Sequence, residues 1–231
     1  MNSKDFETKR ITVLAGHYGS GKTNIAVNYA IALSDESKKV SIADLDIVNP
    51  YFRAKDSFES LRKKGIRLIS SEYANSNVDT PALPADAYSI FADKSVYAVV
   101  DVGGDDRGAL ALGRYAPYIL EEDYDMLFVI NKFRFLTTDA DSTVDVMREI
   151  EEASGVSFTG IVNNSNLGEE TTAEDVLKSV EYAEAVSEIT GLPIKMTTVK
   201  QELYSELKNK IKNIQPISLY VRQSWLKQQE V

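Results

Sequence analysis

The chain has 231 residues, of which 43% are hydrophobic and 26% charged, and its net charge is −9. That length suits one domain burying about 70–75% of its unfolded surface, and the composition is too apolar for disorder. With no cysteine and a single histidine, disulfides, thiolate catalysis, cysteine-held zinc, cysteine-bound iron–sulfur clusters and multi-histidine metal sites are excluded. The acidic balance argues against nucleic acid and against an anionic membrane as partners. The start MNSKDFETKR lacks an apolar targeting region, and no run nears the ~18 apolar residues of a membrane span. A cytoplasmic location is the expectation.

Strand and helix patterns alternate along the chain. ITVLA (11–15) reads as a buried strand, followed by a Gly-rich turn and a helix to about Leu33. VSIAD (40–44) is a second strand. Residues 53–64 read as an exposed, charged helix ended by Gly65, with IRLI (66–69) as the third strand. A turn-rich loop and a short helix from Pro84 lead to the strand VYAVVD (96–101). A helix over 107–120 buries Ala109, Leu112, Ala116 and Ile119, and YDMLFVIN (124–131) is the next strand. A helix over 138–154 stops at Gly155 and precedes FTGIVNN (158–164). Thr171 and Glu174 have the spacing of a capping box, opening a helix to Thr190 with Val176, Val180, Ala183 and Ile189 inward. LPIKMTTV (192–199) is the last expected strand, and two helical stretches around Pro216 close the chain. This order predicts an α/β fold: a mostly parallel sheet of about seven strands, with helices on both faces. No repeat or linker interrupts it, so residues 1–231 read as a single domain.

Gly16-His17-Tyr18-Gly19-Ser20-Gly21-Lys22-Thr23 satisfies G-x-x-x-x-G-K-[ST] and sits between the first strand and an amphipathic helix. Glycines let backbone N–H groups converge on phosphate oxygens, and the helix N-terminus adds positive potential. Lys22, expected to face the ligand rather than pack, can reach the β- and γ-phosphates, and the Thr23 hydroxyl can ligate Mg²⁺. Asn24 follows at the edge of the nucleotide site. Asp44 and Asp46 end the second strand with a spacing that points both side chains the same way. Asp101 ends VYAVV and leads into Val102-Gly103-Gly104-Asp105. Ligands of open α/β sheets lie beyond the carboxyl ends of the strands, so both acidic sets fall at the phosphate-loop edge.

These motifs resemble the MinD/ParA group of P-loop ATPases, which includes the nitrogenase iron protein. The resemblance covers about residues 11–200, and residues 200–231 carry no family motif. It implies that Asp46 orients the attacking water, Asp44 holds a metal-bound water, Asp101 anchors Mg²⁺ and Gly104 senses the γ-phosphate. It also implies ATP/ADP as the nucleotide, slow hydrolysis, a nucleotide-dependent homodimer and a further protein partner. The terminal Asn of the family's base-reading strand matches Asn164, with Asn163 as the alternative. The sequence departs from the group at His17, where the family has a lysine. Either His17 only shapes the loop, or another cation, Arg53 or Arg107, takes the lysine's place.

Asn131-Lys132-Phe133-Arg134 is not the guanine motif N-K-x-D, because arginine cannot accept the hydrogen bonds that guanine donates. The basic stretch 53–67, the Pro-aromatic run Val48–Phe52 and an amphipathic stretch over 217–226 read either as ordinary surface and core or as a switch and a docked tail. Two other functions fit the same core. One is an ATP-dependent synthetase resembling those for dethiobiotin and cobyrinic acid amide, and the other is a non-catalytic nucleotide sensor.

Overall fold

The computed structural model describes residues 1, 7–46, 61–104 without 71–84, and 106–220. Its centre is β1 (Ile11–Ala15), five residues all buried, as expected of a strand covered on both faces. The remaining strands are β2 (Lys39–Asp44), β3 (Arg67–Ser70), β4 (Val96–Asp101), β5 (Tyr124–Ile130), β6 (Gly160–Asn163), β7 (Ile194–Lys200) and β8 (Ile214–Ile217). They form one sheet in the order β3-β2-β4-β1-β5-β6-β7-β8, and every pairing is parallel. The chain leaves β1 toward one edge and later returns to fill the other, so β1 marks the topological switch point where such sheets bind ligands.

Alternating side chains of β1 enter two separate cores. Ile11, Val13 and Ala15 join Leu112, Tyr115, Val144 and Tyr182 on one face. Leu14 joins Ile25, Ala26, Tyr29 and Leu33 of α1 (Lys22–Asp35) on the other. A third, smaller core links Val176, Val199, Leu207 and Ile214 at the β8 edge.

Several boundaries differ from the sequence reading. The sheet has eight strands rather than seven, because Pro216 lies in β8 and not between two helices. Among the described residues one helix, α7 (Gln201–Leu207), lies between β7 and β8. An edge strand tolerates a proline whose missing N–H faces away from its neighbour, and Pro216 pairs only with Val199 of β7. The helix expected over 107–120 is two, α3 (Asp106–Gly113) and α4 (Ala116–Leu120). Pro117 cannot donate to the preceding turn and forces the break, yet Ala109, Leu112, Ala116 and Ile119 are all buried as expected. Before Val96 the chain forms a short 3₁₀ turn (Ala85–Tyr88) and α2 (Ser89–Ala92). The helix α5 (Ala140–Ser154) starts on Asp139, whose side chain accepts from Ser142 N, and ends on Gly155 at φ 67°.

The capping box of α6 (Ala173–Thr190) is formed by Thr172 and Asp175, one residue later than expected. Thr171 is used instead to close the preceding turn, donating to Gly168 O and accepting from Leu167 N. Ile189 is exposed because it lies about 120° around the helix from Ala183, while Val186 takes the inward position. Most of the basic stretch 53–67, the run Val48–Phe52, Pro84, Arg53 and residues 221–231 lie outside the described residues.

Candidate functional site

The loop between β1 and α1 is built by close backbone approaches. Gly16 has φ 152° and Gly21 has φ 91°, values that residues with a Cβ rarely adopt. A Cβ would also collide with Val129 O at Gly16 and with the Asn164 amide at Gly21. Gly21 begins α1 without a side-chain cap among the described residues, so the first-turn N–H groups remain to serve an anion. Lys22 is 7% exposed, more enclosed than expected. Its Nζ donates to Gly16 O at 2.9 Å and His17 O at 3.1 Å, so the ammonium lies across the loop. Tyr18 is exposed at the crown and Ser20 is buried.

Beneath the loop, the Thr23 hydroxyl donates to Asp101 Oδ2 at 2.7 Å. Asp44 and Asp101 are register partners at the ends of β2 and β4, and both are buried. Asp46 is half-buried, and its N–H donates to Asp44 Oδ1 at 2.9 Å. The second carboxylate oxygen of Asp101 is buried with no hydrogen bond from a described residue. Burial pushes the Asp101 carboxyl up to about 6, against the Thr23 hydrogen bond and the Lys22 charge, which both lower it, while Asp46 raises it further. A hydroxyl and carboxylates fit Mg²⁺, which takes oxygen ligands and shares its shell with substrate phosphates. Among the described residues no three histidine, aspartate or glutamate side chains are grouped so as to hold a metal by themselves. Gly104 packs on the loop from the other side: a Cβ there would lie 2.6 Å from Tyr18 N and 3.0 Å from Lys22 Nζ.

His17 is half-buried. Burial first, then the Lys22 charge, holds its imidazole below the ordinary histidine value, and Arg134 adds to the effect. The imidazole is therefore neutral near pH 7 and does not supply the charge of a lysine. Arg107 is exposed at the start of α3.

The other expected contacts divide. Asn164 Nδ2 donates to Ser20 O at 2.6 Å, and its Oδ1 accepts from the Thr198 hydroxyl at 2.6 Å. It joins the loop to β7 and keeps one amide hydrogen and one lone pair in reserve. Asn163 points into the core, donating to Ser179 and accepting from Ser165. Asn24 turns its side chain to the chain's end, where Oδ1 accepts from Tyr220 N at 3.0 Å. Asn28 likewise clamps Ser218 through both its amide atoms.

One residue set aside in the sequence reading is at the site. Arg134 Nε donates to Gly19 O at 3.0 Å. Its position in a run resembling a base-recognition motif was the available signal, but its chemistry excluded only guanine reading and suggested nothing else.

A parallel eight-stranded sheet flanked by helices, with a phosphate loop at its switch point, is the fold of the P-loop nucleoside triphosphatases. Solved structures agree. The cell division protein FtsY of Thermotoga maritima superposes with a TM-score of 0.55 at 21% identity, over 85% of this chain and 64% of that one. The signal recognition particle receptor FtsY of Elizabethkingia anophelis gives 0.52 at 13% identity, over 93% and 64%. Chloroplast FtsY of Physcomitrella patens gives 0.53 at 17%, over 83% and 58%. At such identities the likeness establishes the fold alone. Among curated proteins the chain is similar to the cytosolic Fe-S cluster assembly factor cfd1 of Emericella nidulans, 28% identical over 97 residues. That match covers 42% of this chain and 27% of the relative, and the chain spans less than two thirds of each of these proteins. No family model matches the chain.

Proposed function

We propose that the protein is a cytoplasmic, Mg²⁺-dependent ATP-binding protein of MinD/ParA type that hydrolyses ATP slowly and switches state with its nucleotide. The observation that carries this reading is the junction of Lys22, Thr23 and Asp101: the motif lysine lies across the loop, and directly after it the Thr23 hydroxyl meets a buried strand-end carboxylate. Bound Mg²⁺ would supply positive charge against the charge that develops on the transferring phosphate. Thr23, Asp101 and Asp44 would hold it. Lys22 binds the terminal phosphates, and the loop N–H groups, from Gly16 through Thr23, cradle the rest. Asp46, on the solvent side of Asp44, orients a water for in-line attack on the γ-phosphorus. Gly104 lets the backbone after β4 follow the state of the loop.

Adenine is favoured because no carboxylate is supplied for guanine at the Asn131–Arg134 turn, and Asn164 retains a donor and an acceptor for the base. The similarity to an Fe-S cluster assembly factor does not extend to cluster ligation by these residues, which include no cysteine. A homodimer over the nucleotide edge is part of the reading. The test is phosphate release from ATP by the purified chain with and without Mg²⁺, for wild type and Asp46→Asn. Mg²⁺-dependent release that Asp46→Asn abolishes, with ATP still bound, is the expected result. Release unchanged within about threefold, a barrier change of only ~0.7 kcal/mol, removes Asp46 from the mechanism.

A further inference from the structure

Sheet order separates the two ends of the phosphate loop. The carboxylates Asp44 and Asp101 end β2 and β4, on one side of β1, whereas β5 and β6 lie on the other. The metal and the terminal phosphate belong to the first side, with Thr23 and Asp101, so the second side is left for the nucleoside. Two side chains reach the loop from there. Asn164, directly after β6, donates to Ser20 O at 2.6 Å. Arg134, on the turn after β5, donates through Nε to Gly19 O at 3.0 Å. They hold consecutive carbonyls of one loop, so Arg134 stands beside the residue that the nucleotide reading gives to the base.

The guanidinium is seated rather than free to swing. Gly19 carries no side chain, and a Cβ there would stand 3.2 Å from Arg134 Nε and 3.3 Å from its Cζ, so the planar group lies directly against the loop backbone. The contact with Gly19 O takes only the Nε edge, and among the described residues the two terminal nitrogens have no acceptor. The turn that carries Arg134 is fixed from below. Asn131 is fully buried. Its Oδ1 accepts from Phe133 N and Asn166 N, and its carbonyl accepts from Arg134 N at 3.1 Å. Lys132 N donates to Ser165 Oγ, and Asn166 Nδ2 donates to Asn164 O. The turns after β5 and β6 are thus one stitched unit that presents Arg134 and Asn164 together. An amide, which both donates and accepts, can read the edge of a base. A planar, weakly hydrated guanidinium with one edge anchored suits the other surface of a base, its π-face.

We infer that Arg134 is a base-binding residue: braced on Gly19, its guanidinium plane stacks on the adenine ring whose edge Asn164 reads. The inference rests on the nucleotide reading above and adds to it the platform that holds the base.

The experiment is calorimetric titration of MgATP and MgADP into wild type, Arg134→Ala and Arg134→Lys, with urea unfolding of each to verify the fold. Magnesium tripolyphosphate, which has the phosphates without the base, is measured by its displacement of MgATP. Lysine keeps the positive charge and a donor for Gly19 O but has no planar face. Both variants are expected to lose about tenfold in affinity for MgATP and MgADP alike, as for one stacked base, while tripolyphosphate affinity stays within about twofold. A matching loss for tripolyphosphate, or full nucleotide affinity in Arg134→Lys, would show Arg134 to be only a brace or a charge for the loop. A loss confined to MgATP would put the guanidinium at the terminal phosphate, and unchanged affinity in Arg134→Ala would leave it no part in binding. Each of these results overturns the inference. Wild type that binds no MgATP, or binds it without displacement by tripolyphosphate, overturns the nucleotide reading itself, and this inference with it.

Discussion

Replacing Gly104 by alanine adds one methyl group where the chain after β4 touches the phosphate loop. The new Cβ would stand 2.6 Å from both Tyr18 N and Tyr18 Cα, and 3.0 Å from Lys22 Nζ. Carbon contacts are comfortable near 3.5–4.0 Å, so the overlap is about 1 Å and falls on backbone that has no rotamer to escape into. Overpacking of this kind costs about 1–3 kcal/mol, and the relief available is displacement of the loop. Gly65→Ala is the control. Nothing lies within 4 Å of its Cβ, but φ is +71°, so its cost is conformational, about 1 kcal/mol, and remote from the site. Urea unfolding should show both variants destabilised, and MgATP titration should show a loss only for Gly104→Ala. Gly104→Ala with wild-type ATP affinity would refute the argument that this contact shapes the binding loop.

Asp101 gives a pH test. Its folded-state value, pushed up to about 6 by burial, lies above the ordinary carboxylate value. Its contribution to metal-free stability is therefore full below about pH 4 and lost as pH rises through about 6. Asp101→Asn should be more stable than wild type at pH 8 without Mg²⁺, with the gap closing by pH 4. Parallel stability curves across that range would contradict the assignment. The carboxylate must also ionise to hold a metal, so Mg²⁺-dependent ATP binding should weaken below about pH 6 in wild type. Asn164→Ala removes the hydrogen bonds to Ser20 O and from the Thr198 hydroxyl, at a cost of about 1–3 kcal/mol. It should also reduce the preference for ATP over GTP in a competition assay, and an unchanged preference would remove Asn164 from base recognition.

Much of the candidate site's arrangement was legible in the sequence because its parts are local. A fixed-spacing loop between a buried strand and a helix defines its own geometry, and Asp44 and Asp101 end apolar runs that can only be interior parallel strands. Ala109, Leu112, Ala116 and Ile119 followed from periodicity even though Pro117 splits their helix. What escaped was decided by tertiary pairing. Pro216 reads as a helix punctuator until β7 supplies an edge partner. Thr171 and Thr172 are equivalent caps by spacing, and only the turn at Gly168 takes the first of them. Asn24 reads as a nucleotide neighbour, yet its side chain holds Tyr220, 196 residues away. Arg134 meets Gly19 across 115 residues, a separation at which no periodicity speaks.

The central claim is that this loop binds a nucleoside triphosphate, and Lys22 is the residue on which it depends. Titration of MgATP into wild type and Lys22→Ala, with unfolding curves recorded for both, tests it most directly. The variant loses hydrogen bonds to Gly16 O and His17 O, so its stability should fall by no more than about 1–2 kcal/mol. The account predicts saturable MgATP binding by wild type and a loss of at least about a hundredfold in the folded variant, or ~2.7 kcal/mol. Equal ATP affinity in the two proteins would contradict it.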